Sequence, residues 1–582
     1  ELRGVCWKFP PGEYAVRTTL YVGESPVDEI THEFRVVKFS SPTPSQTVAA
    51  AVDGGFLLAG KQWRAHGVNY WPRYSTGREG PDWVHWLSPE QYHPEIIEQD
   101  LALVRELGLN MLSVQYGRVE DARSMMDFLA RAERHGIKVH VYLPGLHPLN
   151  PDFSLAHSLI AAAHLPQSAA VFAYDVGWEV HVGGYNVRKD YDKLWQDWVI
   201  DQYGSVQAAE KDWNYTPQRV NDVITGPTDD QLAKEGDWRV YVAAYRRFWD
   251  DEISKRYRQV RSKIRELDKV HLIGARSGYG GTGSMWAARV LPFDLASGAK
   301  HLDFTSPEGY ALSGDRLGFL KGGIITLYGR MVSAGKPVFW AEYGTSIWPK
   351  CDAQTIEAQR SYYENMLNML CKSDADGSAG WWWPGGFRLG ENSDFGIVNP
   401  DGSPRPAALE LRRVESSCGT DRQSKRPEAV ILRTGGTGTD SANTPLVAVG
   451  NVPCHGSNPP KYLNAEFNYL KVNGHSAQDD AVIEVERGRP VFVEASVGNT
   501  SEATWLAPGA VGDGAVYLVA TSEGYSARGP IAADTAFLKD ATVRRFQLTP
   551  GVDTETTFKF RMTALNRCFF GEVRRVTLRP RS

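Results

Sequence analysis

Cysteine is scarce. The 582 residues hold six, at Cys6, Cys351, Cys371, Cys418, Cys454 and Cys568, with no CxxC pair. That spacing argues against a structural zinc site. As disulfides the six would suit a secreted chain, but spacing alone does not choose among the pairings. Positive charge is not in excess either. A net charge of −5 and an isoelectric point near 6.3 give no electrostatic case for nucleic acid or an anionic membrane. No apolar run reaches the roughly 18 residues that a membrane span needs. The histidines are dispersed and HExxH is absent, so neither a metal nor any other cofactor is expected. The chain opens at Glu1 with neither Met nor a signal-peptide pattern, which reads as a processed or trimmed form. The expected location leans toward secreted or periplasmic rather than cytoplasmic. Oligomeric state is left open.

Aromatic residues are plentiful by contrast. They make up 11% of the chain, and 17 of the 18 Trp precede residue 384. Aromatic faces stack on the apolar faces of sugar rings and line small-molecule clefts, although large barrels also bury Trp. The length exceeds what one core organises, so two or three domains are expected. Residues 1–45 carry two alternating segments around a Gly/Ser/Pro turn, the mark of a β-hairpin or partial β-sandwich. From about residue 56 to 418, eight strand-like runs alternate with amphipathic helices. That pattern predicts a (β/α)8 TIM barrel over residues 46–418, with an insertion at about 181–240. Residues 419–582 read as short strands separated by Gly, Asn, Ser and Pro, an all-β sandwich. Its single Trp, Trp505, points to a structural or docking role rather than strong sugar binding.

Two buried strands end on carboxylates. Lys336-Pro-Val-Phe-Trp-Ala-Glu342-Tyr-Gly-Thr345 delivers Glu342 at the end of the seventh strand. Val171-Phe-Ala-Tyr-Asp-Val-Gly-Trp-Glu179 does the same after the fourth. One such Glu commonly caps a strand or pairs with an Arg. Two, across one barrel mouth, suit acetal hydrolysis, in which one carboxyl protonates the leaving oxygen and the other meets the positive charge at the anomeric carbon. Gly278-Tyr-Gly-Gly-Thr-Gly283 matches GxGxxG after the fifth strand, but it does not open a doubly wound domain. It reads as a flexible loop on the active-site face rather than a nucleotide cradle.

With Glu179 after strand four and Glu342 after strand seven, the chain resembles the clan A retaining glycoside hydrolases. Phe56 to Trp71 looks like the entry to that barrel; Trp381-Trp-Trp-Pro and Phe395 to Ala407 look like its eighth strand and last loop. Leu194 to Trp213, inside the insertion, is similar to a segment of the family 42 β-galactosidases. The resemblance implies a retaining β-glycosidase with a carbohydrate substrate and no cofactor. Glu342 would be the nucleophile and Glu179 the acid/base, with carboxyl groups about 5–5.5 Å apart. Candidate substrate contacts are Asn69, Trp71, Gln115, His147, Trp178, Arg276, Glu308, Tyr310 and Trp382. Of these, Arg276 could instead pair with a carboxylate, and Glu308 could be a surface carboxylate. The chain departs from the clan at one place: Gly177-Trp178 stand where an Asn normally precedes the acid/base. Either another residue contacts the sugar 2-hydroxyl, or the sugar differs at C2. The rival readings are a transglycosylase on the same barrel and a catalytically inactive carbohydrate-binding protein.

Overall fold

The computed structural model describes residues 9–75, 85–233, 237–278, 288–310, 312, 316–414, 432–434, 446–448, 463–501, 504–508, 514–535, 539–548, 552–566 and 568–581. The first described element is the expected hairpin. Gly12–Val22 pairs antiparallel with Ser25–Val36. A three-stranded antiparallel sheet follows, Val48–Ala51, Gly55–Leu58 and Lys61–Trp63.

The barrel strands are short and almost wholly buried: Ala65–Asn69, Met111–Gln115, Lys138–Tyr142, Val171–Asp175, Leu272–Gly274 with its continuation Arg276–Ser277, Ser306–Pro307, Phe339–Trp340 and Gly377–Gly380. Seven form one sheet in the order five-four-three-two-one-eight-seven, with parallel pairing throughout. The sixth closes the ring. Arg276–Ser277 pairs in parallel with Ser306–Pro307, and parallel bridges join Thr305 to Val338 and Glu308 to Glu342. The (β/α)8 barrel is therefore complete.

Strand six bridges to strand seven only from Thr305 on. Here a side chain replaces part of the ladder: the Asp303 carboxylate accepts from the Ile273 backbone N–H at 2.9 Å. The eighth strand ends at Gly380, so Trp381, Trp382 and Trp383 leave the sheet at the mouth. The helix Phe153–Ala162, absent from the sequence reading, lies between strands three and four. Its mostly apolar sequence masks the amphipathic period, and the start is marked by Asp152, whose side chain accepts from the Leu155 N–H at 3.0 Å.

Apolar side chains fill the N-terminal end of the barrel. Phe172, Phe304 and Phe339 pack with Met111, Ala173 and Ala341. Phe56, from the antiparallel sheet, meets Phe172 and Phe304 edge-on at 5.1 and 5.5 Å. The sheet thus plugs the barrel floor and leaves the C-terminal end for polar chemistry. Within the insertion, Trp195 stacks on Trp198 and Trp213 at 5.5 and 5.7 Å. These three Trp form core, not a sugar platform.

The C-terminal residues form an all-β region of a four-stranded and a five-stranded sheet around a separate core. Ala465–Val472 and Tyr525–Pro530 join the strands expected from sequence. Trp505 is buried against Phe570, and its N–H donates to Ser501 Oγ at 2.9 Å. The expected strands at 430–433 and 446–452 fall largely outside the described residues; Leu432–Thr434 and Leu446–Ala448 pair antiparallel.

Candidate active site

A break in strand five creates the centre of the site. Strand pairing lapses at Ala275 and resumes at Arg276, whose side chain is fully buried. Its guanidinium joins five strands. Nε donates to Asp175 Oδ2 on strand four at 2.5 Å. Nη1 donates to Asn69 Oδ1 on strand one at 3.1 Å, and also to Glu342 Oε1 after strand seven. Nη2 donates to Ser113 Oγ on strand two at 2.9 Å. The Trp178 ring covers the group, its centroid 3.6 Å from Cζ, a cation–π contact. Burial alone would lower the Arg276 pKa, but Asp175, Glu342 and Glu308 outweigh it and raise it. The guanidinium is a permanent charge.

Glu342 is 2% exposed. Tyr310 donates its hydroxyl to Oε2 at 2.7 Å, so both carboxylate oxygens have a donor. Burial nevertheless pushes the carboxyl pKa up, Arg276 and Tyr310 pull it down, and the charge of Glu179 adds to the upward push. Glu308 stands beside it in register across strands six and seven, 1% exposed. It is therefore not the surface carboxylate that sequence allowed.

Glu179 is half-buried and sits in the left-handed region, at φ 47°. A residue with a side chain rarely adopts that conformation unless its surroundings hold it there. Gly278 lies against it: a Cβ there would sit 3.1 Å from Glu179 Cα and 3.2 Å from its Cβ. Burial raises the Glu179 pKa; Arg276 opposes this and Glu391 adds to it. Burial thus pushes both carboxyls up, Glu342 to about 7, and what separates them is their hydrogen bonding and exposure. Glu342 has donors on both oxygens that favour its charged form, whereas Glu179 is the more exposed and faces acidic neighbours.

Of the nine expected substrate contacts, Asn69, Trp178, Arg276, Glu308 and Tyr310 converge on the two catalytic candidates. Asn69 is buried and already committed. Its amide donates to the carbonyls of Ala341 and Gly380 at 2.9 and 3.4 Å while its oxygen accepts from Arg276, so it braces the barrel rather than waiting for a hydroxyl. Trp71 and Trp382 join through aromatic contacts: Trp71 meets Trp178, Trp381 and Trp382 edge-on at 6.4, 5.4 and 5.2 Å. Gln115 is half-buried at the end of strand two, paired opposite Tyr142. His147 lies apart, its ring 5.8 Å from Phe293 and its Nδ1 accepting from the Leu149 N–H at 3.3 Å. Burial lowers its pKa. Sequence reasoning missed Asp175 and Ser113, and placed Gly278 and Trp381 only within a loop and the eighth-strand segment. Asp175 had a readable signal, since an Arg in a buried strand requires an acidic partner on a neighbouring one. Residues 279–287, the bulk of the glycine-rich stretch after strand five, lie outside the described residues. Among the described residues, no group of three or more His, Cys, Asp or Glu is arranged to hold a metal ion.

No protein-family model matches the chain, and no curated protein matches it. Among solved structures it is similar to the endo-β-1,4-mannanase from Thermotoga petrophila, at 11% identity and a TM-score of 0.37, covering 90% of this chain and 99% of that one. It is similar to β-glucuronidase 2 from Bacteroides uniformis at 12% identity and a TM-score of 0.38, covering 98% of this chain and 51% of the other. The chain thus spans about half the length of that protein. A β-galactosidase from Halorubrum lacusprofundi overlaps at 16% identity and a TM-score of 0.42, covering 60% of this chain and 58% of its own. At such scores the overlaps carry no argument about activity, which rests on the geometry around Arg276 and the glutamates.

Proposed function

We propose that the chain is a retaining β-glycosidase that cleaves a glycosidic bond in an oligo- or polysaccharide by double displacement. One observation carries the reading: Glu179 after strand four and Glu342 after strand seven stand at the mouth of a closed barrel around one buried guanidinium, and Glu342 has a donor on each oxygen. Glu342, with donors on both oxygens, is the nucleophile and attacks the anomeric carbon. Glu179 protonates the leaving oxygen and then takes a proton from the incoming water. The barrel, at about residues 46–418, is the catalytic unit, and the C-terminal sheets support it. Trp178, half-buried above the buried Trp71, Trp381 and Trp382, is the aromatic group at the site that supports a carbohydrate substrate. Trp178 lays its ring on Arg276, so it does not reproduce an Asn contact to the sugar 2-hydroxyl; that contact passes to another group or is absent from the substrate. Among the described residues no helix is long and apolar enough to cross a membrane.

The test is a leaving-group series. Glu179→Gln should lose roughly 10²–10⁴ in kcat/KM on aryl β-glycosides with poor leaving groups, the usual share of general acid catalysis. It should lose far less glycosylation rate on dinitrophenyl glycosides, whose departure needs no proton. Equal losses across the series, or retained activity on poor leaving groups, would remove Glu179 from this role. Gly278→Ala should behave differently. Its added methyl displaces Glu179, so kcat should fall about 10- to 100-fold on poor leaving groups while the thermal midpoint changes little. A variant with wild-type kcat would show that the left-handed placement of Glu179 is immaterial.

A further inference from the structure

Glu308 is a charge problem that double displacement leaves unsolved. It is 1% exposed, and no N–H or O–H donor among the described residues reaches either of its oxygens. An ionised carboxylate in that state is among the costliest arrangements a protein can hold. The group within hydrogen-bonding reach is the Glu179 carboxyl. Two carboxyls bond to each other only when one carries a proton. Glu308 also lies in register with Glu342 on the adjoining strand, and the Gly309 N–H donates to the Glu342 carbonyl at 2.8 Å, so its backbone is fixed.

Resting on the glycosidase reading, we propose that Glu308 and Glu179 form a carboxylic acid–carboxylate pair that shares one proton. Glu308 is the buried store and Glu179 the member that presents the proton to the leaving oxygen. Glu308 is then a positioning residue, acting through Glu179. Charged and titratable groups face the pair from every side: Glu342 and Tyr310 after strands seven and six, Arg276 on strand five, Asp175 on strand four, and Glu391 and His181 from the loops. Burial, then Glu342 and Glu179, raise the Glu308 pKa far above the carboxylate range, with Arg276 opposing.

The step balances. In the first displacement the bond from the anomeric carbon to the leaving oxygen breaks, and a bond to a Glu342 oxygen forms. The shared proton moves to the leaving oxygen. Glu342 loses its charge as it becomes an ester, and the pair gains one as it loses its proton, so the total charge on the three carboxyls is unchanged. In the second displacement water attacks the anomeric carbon, its proton returns to the pair, and Glu342 departs as a carboxylate. The pair is doubly ionised only while Glu342 is a neutral ester, when the Arg276 charge that Glu342 otherwise shares is left to offset it.

The experiment compares wild type, Glu308→Gln and Glu308→Asp as full chains, in two measurements. Infrared difference spectra of substrate-free wild type minus Glu308→Gln should show a protonated carboxyl band at neutral pH. The basic limb of kcat/KM on an aryl β-glycoside should move down by about one pH unit or more in Glu308→Gln, because Glu179 then titrates without a negative neighbour. Glu308→Asp, which still titrates, should recover part of that shift. Absence of the band overturns the proposal. So does an unmoved basic limb with an equal loss for all leaving groups, which marks a structural role. If wild type cleaves no aryl or polymeric glycoside, the glycosidase reading fails, and the infrared band alone decides whether the pair holds its proton.

Discussion

Arg276→Met should destabilise the protein by about 3–5 kcal/mol, the cost of removing one partner from a buried ion pair. Met roughly preserves the volume of the stem, so the loss is electrostatic rather than a cavity. Asp175 is fully buried and Glu342 nearly so, and both rely on this guanidinium; Ser113 Oγ and Asn69 Oδ1 accept from it, and Trp178 covers it. Removal leaves two buried carboxylates without their cation. Denaturant unfolding, followed by a probe of the barrel Trp, measures the cost. A companion, Arg276→Met with Asp175→Leu, should recover part of the loss, because replacing a buried pair by apolar groups is often neutral whereas breaking it is not. A loss below about 1 kcal/mol in the single variant would show that the network does not support the barrel mouth.

Glu342→Gln should bring turnover to background on every substrate, dinitrophenyl glycosides included, because no leaving group compensates for a missing nucleophile. That separates it from Glu179→Gln, which keeps fast departure of good leaving groups. Folding should survive: Arg276 retains Asp175, and an amide can still accept from Tyr310. The pH profile carries a second expectation. Glu342 attacks only as a carboxylate, and burial raises its pKa. Activity in wild type should therefore fall as pH drops, with an acid limb above the ordinary Glu value of about 4.3. An acid limb at or below that value would mean that Arg276 and Tyr310 outweigh burial. Residual turnover by Glu342→Gln on dinitrophenyl substrates comparable with that of Glu179→Gln would remove Glu342 as the nucleophile.

The sequence alone determined the barrel and where its carboxylates fall. Apolar runs such as Val171-Phe-Ala-Tyr carry their burial in composition. Helices such as Ala353–Lys372 carry period and caps, here Asp352 and Thr355 in a reciprocal capping box. Glu179 and Glu342 were legible because a strand end is a local feature. The tertiary structure decided the rest. Sequence could not show that Asn69 is consumed by the Ala341 and Gly380 carbonyls, that Arg276 reaches Asp175 and Glu342, or that Trp178 lies over a guanidinium. Each of those contacts depends on closing a ring of strands whose members are up to several hundred residues apart, and closure also sets register. The two-residue sixth strand brings Glu308 level with Glu342, and the left-handed turn at Glu179 brings a second carboxyl to it. Residue type announces that a side chain can hold a proton; the neighbours supplied by barrel closure decide whether it must.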